Sequence, residues 1–140
     1  MADVFISYTR ANASWAALLA AEIGAQGHTV FYDQNLTPGD SWDRRIEREL
    51  AAARAVVVLW SADSCDRQWV RNEAREGMRR GILCPGRIDD CHIPVEFSHV
   101  QTAILHNGIG ASTGLAQLCD AVNAKIAVNL SHRPRSLTSS

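Results

Sequence analysis

The hexapeptide AVVVLW, Ala55 to Trp60, decides the fold. It is apolar at every position and rich in β-branched residues, too continuously apolar for a strand with one face in water. A strand of this kind belongs at the centre of a parallel sheet whose two faces are both covered by helices.

Working towards the N-terminus, DVFIS (Asp3 to Ser7) reads as a second, short strand of apolar and β-branched residues. Asn12 is placed to cap the helix that follows, in which Trp15, Leu18, Leu19 and Ile23 make an apolar stripe. Gly27 ends that helix, and His28 to Tyr32 forms a strand. DQNLTPGDS, Asp33 to Ser41, is a turn-rich loop around Pro38-Gly39, and Asp40 or Ser41 caps a helix carrying Trp42, Ile46 and Leu50.

Towards the C-terminus, helix signals run from about Cys65 to Arg80, and Ile82-Leu83-Cys84 is a short strand. An irregular stretch leads to a last strand at about Thr102 to Leu105. The final helix is expected over about Ser112 to Ala127, with Leu115, Leu118, Val122 and Ile126 facing inward. HRPRSLTSS has linker composition, so residues 1–130 are expected to form the domain. Residues 131–140 are expected to be a flexible tail or the start of a tether to a further domain. Strands and helices alternating in this way imply a three-layer α/β domain with a parallel sheet. Ligand loops in such sheets lie beyond the carboxyl ends of the strands. SYTR, DQNLTPGDS and SADSCDRQW all occupy that position.

Bulk properties exclude several classes of function. At 140 residues the chain makes one domain, burying roughly two thirds of its unfolded surface. A formal net charge of −1, with no basic runs interleaved with aromatic residues, argues against a nucleic-acid-binding face. The chain has neither a run of about eighteen apolar residues nor a basic-apolar-small segment after Met1, so a membrane role is not expected and a cytoplasmic location is. Cys65, Cys84, Cys91 and Cys119 form no CxxC pair and are read as reduced thiols, with Cys84 and Cys119 in the core. No metal-ligand constellation is present.

Other patterns carry less. Gly108, Gly110 and Gly114 imitate a dinucleotide-binding glycine run, but after the last strand and with the wrong spacing, so they read as a loop and helix-entry feature. There is no phosphate-loop motif, no nucleophile elbow and no serine or cysteine spaced for a triad with any of the five histidines. His28 reads as structural, and Asp89-Asp90 as a solvated acidic turn without a role.

The pair that invites chemistry is Trp69 and Glu73 in WVRNEAREGMRRG. Four residues apart on a helix, indole and carboxylate share one face, one turn apart. The pair fits a pocket for an aromatic, cation-bearing ligand. It fits equally a core anchor followed by a solvent-facing acid.

Four segments in order, DVFISYTR, YDQNLTPGDSWDRRIEREL, AVVVLWSADSCDRQWVRNEA and IDDCHIPVEFSHVQTAIL, resemble the TIR (Toll/interleukin-1 receptor-like) domain family, bacterial type. The resemblance covers Asp3 to about Ala127. It departs at Arg67-Gln68, where many members carry a small polar residue before the tryptophan, and it lacks the Phe-Trp box of receptor-type members. It implies a flavodoxin-like, five-stranded parallel sheet with helices on both faces. It also implies cleavage of NAD at the nicotinamide–ribose bond, to nicotinamide plus ADP-ribose or a cyclic ADP-ribose isomer, in bacterial defence signalling. NAD is then the substrate, and no cofactor is required. Glu73 matches the catalytic glutamate of the family, and the mechanism needs it ionised, without a strongly raised pKa. Phe5, Ser7, Tyr8, Arg10, Asp33, Leu36, Trp42 and Trp69 are the implied NAD contacts. Leu36, Pro38, Gly39 and Trp42 are expected in a mobile flap or an assembly contact, and the domains are expected to self-associate through the Asp33–Ser41 loop to become active. The alternative is a non-enzymatic scaffold that binds other TIR domains through the same flap.

Overall fold

The computed structural model describes residues 2–33, 44–105 and 111–138. Five strands, β1 (Val4–Ser7), β2 (Val30–Phe31), β3 (Ala55–Trp60), β4 (Leu83–Arg87) and β5 (Ala103–Ile104), form one parallel sheet in the order β2-β1-β3-β4-β5. Among the described residues four α-helices accompany them: α1 (Ala13–Ala25), α2 (Arg44–Ala52), α3 (Gln68–Arg79) and α4 (Ala111–Thr138). This is the flavodoxin-like order, which reverses between β1 and β3.

Strand β3 is buried at all its positions, as its composition requires. Its side chains alternate between two cores. Ala55, Val57 and Leu59 join Val4, Ile6, Leu19, Ile23, Leu118 and Val122 under α1 and α4. Val56, Val58 and Trp60 join Phe5, Val70, Ala74 and Phe97 under α3, with Ile46 and Leu50 of α2 packed against them. The same alternation in β1 puts Phe5 and Ser7 on the α3 side, and that places the site described below.

Several local expectations change. The stripe on α1 is Ala16, Leu19 and Ile23, while Leu18 is 44% exposed. Asn12 stands at the N-cap of α1 but makes no capping bond, because its Oδ1 instead accepts hydrogen bonds from Thr9 and Ser61. Strand β2 shrinks to Val30–Phe31. A 3₁₀ turn, Ser64–Asp66, precedes α3, and extended backbone at Arg67 delays the helix to Gln68. Strand β4 runs on to Arg87 despite Pro85. The alternating parallel ladder, in which Val56 N–H bonds Ile82 O and Ile88 N–H bonds Trp60 O, turns the Pro85 nitrogen away from β3. On its other side β5 pairs only from Gly86 onward, so no ladder bond is lost there. Helix α4 continues past Ala127 to Thr138.

Geometry requires glycine at positions that include 27 and 114. Gly27 ends α1 with φ +95°, a left-handed conformation that favours glycine. A Cβ on Gly114 would overlap the carbonyl oxygen of Ile104, so this glycine lets α4 lie directly on β5. Gly108 and Gly110 fall outside the described residues.

Candidate active site

Ser7 ends β1 with its side chain on the α3 side of the sheet, only 2% exposed. Helix α3 turns Val70, Ala74 and Gly77 towards β3 and β4, and Gly77 lets the helix close to contact distance with Val56. Glu73 then projects from the flank of α3 towards β1. The Ser7 hydroxyl donates to Glu73 Oε1 at 2.6 Å, a length typical of a hydroxyl bonded to a carboxylate.

Glu73 is partly buried as a residue, yet its carboxyl is strongly desolvated, and burial is the main force raising its pKa to about 7. The Ser7 hydrogen bond opposes that rise, and the charge of Asp33 adds to it. This corrects the expectation of a carboxylate without a strongly raised pKa. The reason is tertiary: packing α3 on β1 withdraws the carboxyl from water, and one hydroxyl cannot replace the lost hydration.

Asp33, just after β2, supplies the other wall. Its backbone carbonyl accepts from the Tyr8 hydroxyl at 2.6 Å, and its carboxylate takes Arg45 of α2 at 3.2 Å. The Arg45 guanidinium also lies 5.7 Å from the centre of the Phe31 ring. Burial, followed by the charges of Asp33 and Tyr32, pushes the Tyr8 phenol up to about 12, so Tyr8 stays a neutral donor at all working pH values.

The implied NAD contacts therefore separate. Ser7 and Glu73 meet at the carboxyl end of β1 within reach of the Asp33 charge, Tyr8 reaches the Asp33 carbonyl from the α1/α4 side of the sheet, and Trp69 sits one turn before Glu73, packed against the α3-side core. Phe5 is 3% exposed and stacks on Phe31 at 5.6 Å, which makes its ring part of the core. Arg10 is exposed in the 3₁₀ turn Arg10–Asn12 that follows β1. Leu36, Pro38, Gly39 and Trp42 lie outside the described residues. Arg67, the departure from the family pattern, pairs with Asp63 at 2.9 Å and lies 5.9 Å from the Trp69 ring centre. It thus extends over the indole rather than into the carboxylate side.

Two supports of the site were missed by the sequence reading. Asn12 Oδ1 receives Thr9 and Ser61, while Ser61 and Ser64 exchange reciprocal side-chain-to-backbone bonds. This network ties the loops after β1 and β3 across the point where the strand order reverses. The Ser61-x-x-Ser64 spacing, a relative of the capping box, was a readable signal. Asp89 is the second support. Its carboxylate accepts Ala62 N–H and Cys91 N–H, each at 2.9 Å, so the acidic turn has a structural role after all.

The TIR domain family profile matches residues 4–119. Over 73 residues the chain is 34% identical to the NAD(+) hydrolase PdTIR of Paracoccus denitrificans, covering 51% of this chain. It spans about a quarter (24%) of that relative's length. Among solved structures, it is similar to the TIR domain of the Toll-related receptor TRR-2 from Hydra magnipapillata, with a TM-score of 0.74 and 17% identity over 88% of this chain and 99% of that one. It is also similar to a metazoan TIR-STING receptor from C. gigas, with a TM-score of 0.69 and 16% identity over 87% of this chain and 39% of that one. The likeness to these structures is one of fold. The family profile runs from the first residue of β1 into α4, through the segments that carry Ser7, Asp33 and Glu73, and on that span the chain belongs to the TIR domain family.

Proposed function

We propose that this domain cleaves NAD at the nicotinamide–ribose bond and becomes active on self-association. The observation that carries this reading is the Glu73 carboxyl, withdrawn from water and held against the end of β1 by the Ser7 hydroxyl. Partial identity with a bacterial NAD(+) hydrolase supports it. The chemistry asks little of an enzyme's acid. Nicotinamide leaves from a cationic ring, so no proton need be delivered to it. The ribose develops oxocarbenium character as the bond breaks, as in glycoside hydrolysis. A fixed carboxylate stabilises that positive charge where it develops.

The raised pKa does not bar this role. A carboxyl poised near neutrality is ionised by the arrival of a cationic ring, because an opposite charge close by favours the charged form. Trp69 lies one turn away on the same helix, packed against the α3-side core. Asp33 and the flap that follows it are the segment through which one domain completes the site of another. Water attacking the ribose gives ADP-ribose, whereas an internal nucleophile of the substrate gives a cyclic isomer.

The test is NAD consumption with separation of products, for wild type and Glu73→Gln, in dilute solution and clustered on a support. Clustered wild type should turn over, and Glu73→Gln should lose on the order of 10²–10³-fold, the scale of removing a transition-state charge partner. Undiminished turnover in a folded Glu73→Gln protein would remove Glu73 from the mechanism. No turnover by clustered, folded wild type would favour the scaffold reading.

A further inference from the structure

We propose that Ser7 is the positioning residue of this site: its hydroxyl fixes one oxygen of Glu73, so that the other oxygen is the one presented to the ligand. The proposal rests on the reading of Glu73 as the reacting carboxylate and assigns Ser7 to that residue rather than to NAD.

The argument starts from what a serine does at the end of β1. Val4, Phe5 and Ile6 before it are buried and apolar, and position 7 is just as buried. Serine adds no apolar area there and is a weak strand former, so its hydroxyl needs a partner. That partner is Glu73, 66 residues away. A hydroxyl offers a single proton, and at 2.6 Å it is committed to Oε1. Among the described residues no donor engages Oε2. The carboxylate is therefore held from one side only, with its rotation fixed and one acceptor left for a ribose hydroxyl or an attacking water.

The other groups around Glu73 cannot do this. Asp33, from the end of β2, is an acceptor that repels it. Arg45 of α2 is directed to Asp33. The Tyr8 hydroxyl is bonded to the Asp33 carbonyl. On α3 itself, Trp69 lies one turn before and Gly77 one turn after, and Asn72 receives Gln68 and Arg75. Ser7 alone among them donates to the carboxylate.

The experiment follows the Glu73 side-chain carboxyl by ¹³C NMR through a pH titration, in wild type, Ser7→Ala and Ser7→Thr, with thermal melts to establish folding. Ser7→Ala should raise the titration midpoint on the order of one pH unit, the effect of losing a hydrogen bond to the charged form. Ser7→Thr, which keeps the hydroxyl, should restore it. If the added methyl prevents folding, Ser7→Cys, a weaker donor, should fall between wild type and Ser7→Ala. An unchanged midpoint in folded Ser7→Ala overturns the proposal, as does a folded threonine variant that fails to restore it. Because the titration needs no turnover, a Ser7-dependent midpoint in a protein that leaves NAD intact would sustain Ser7 as the orienting group while sinking the NAD-cleaving reading. Where turnover is measurable, the acid limb of its pH profile should move with the NMR midpoint.

Discussion

At Glu73, burial and hydrogen bonding pull in opposite directions, and burial wins. The consequence for stability has a definite sign. The unfolded carboxyl titrates near 4.5 and the folded one near 7, so the folded state favours the protonated form. The stability this contributes is complete below pH 4.5 and is lost as pH rises through 7. Glu73→Gln, which cannot ionise, should therefore be more stable than wild type at pH 8. We expect a gain on the order of 2 kcal/mol, allowing for the partial exposure of the residue. Denaturant melts at pH 5 and pH 8 check this, and the gap between the two proteins should narrow at the lower pH. A gap independent of pH would mean that Glu73 titrates as an ordinary surface carboxyl.

Two contacts between elements are open to equally direct tests. Gly114 lets α4 approach the backbone of β5, and the Ile104 carbonyl that a Cβ would meet cannot swing aside as a side chain can. Gly114→Ala should cost at least about 2 kcal/mol in a urea melt. A neutral result would show that α4 can lift from the sheet without penalty. Asp89 joins the loops after β3 and β4 by accepting two backbone N–H groups. Asp89→Ala leaves both without that acceptor and should destabilise by about 1–3 kcal/mol. By contrast, Arg75→Ala breaks the Arg75–Glu96 pair, 2.6 Å long but exposed on both sides. It should change stability by less than about 1 kcal/mol. These comparisons separate contacts that hold the layers together from contacts that decorate them.

For the whole molecule, the position of the thiols gives a global check. All four cysteines are free and buried, and burial pushes the Cys84 thiol up to about 12, so thiolate is scarce in the native state. A thiol-specific chromogenic reagent should react slowly with native protein and promptly with all four groups in denaturant. Fast native reaction would mean that the layers open far more readily than the packing suggests. The proposed dependence on self-association is also a property of the whole molecule. NAD turnover per domain should rise with protein concentration before reaching a plateau, whereas strictly proportional turnover would mean that each domain carries a complete site.

Local composition by itself determined the alternation of strands and helices, the centrality of β3 and the parallel sheet. A run such as AVVVLW can only be satisfied when both of its faces are covered. It also marked Trp69 and Glu73 as neighbours, because a helix fixes their spacing whatever surrounds it. Local signals erred where a competing partner came from elsewhere in the chain. Asn12 forgoes its cap for Ser61, and Asp89 finds backbone donors across two loops. The alternation within DVFIS puts Phe5 and Ser7 on one face, but nothing local says which helix covers that face. Only the reversal of strand order between β1 and β3 brings α3 over β1 and Glu73 onto Ser7. The protonation of the candidate catalytic group was accordingly decided by the tertiary structure, because desolvation is a property of what packs around a carboxyl and not of the residues beside it in the chain.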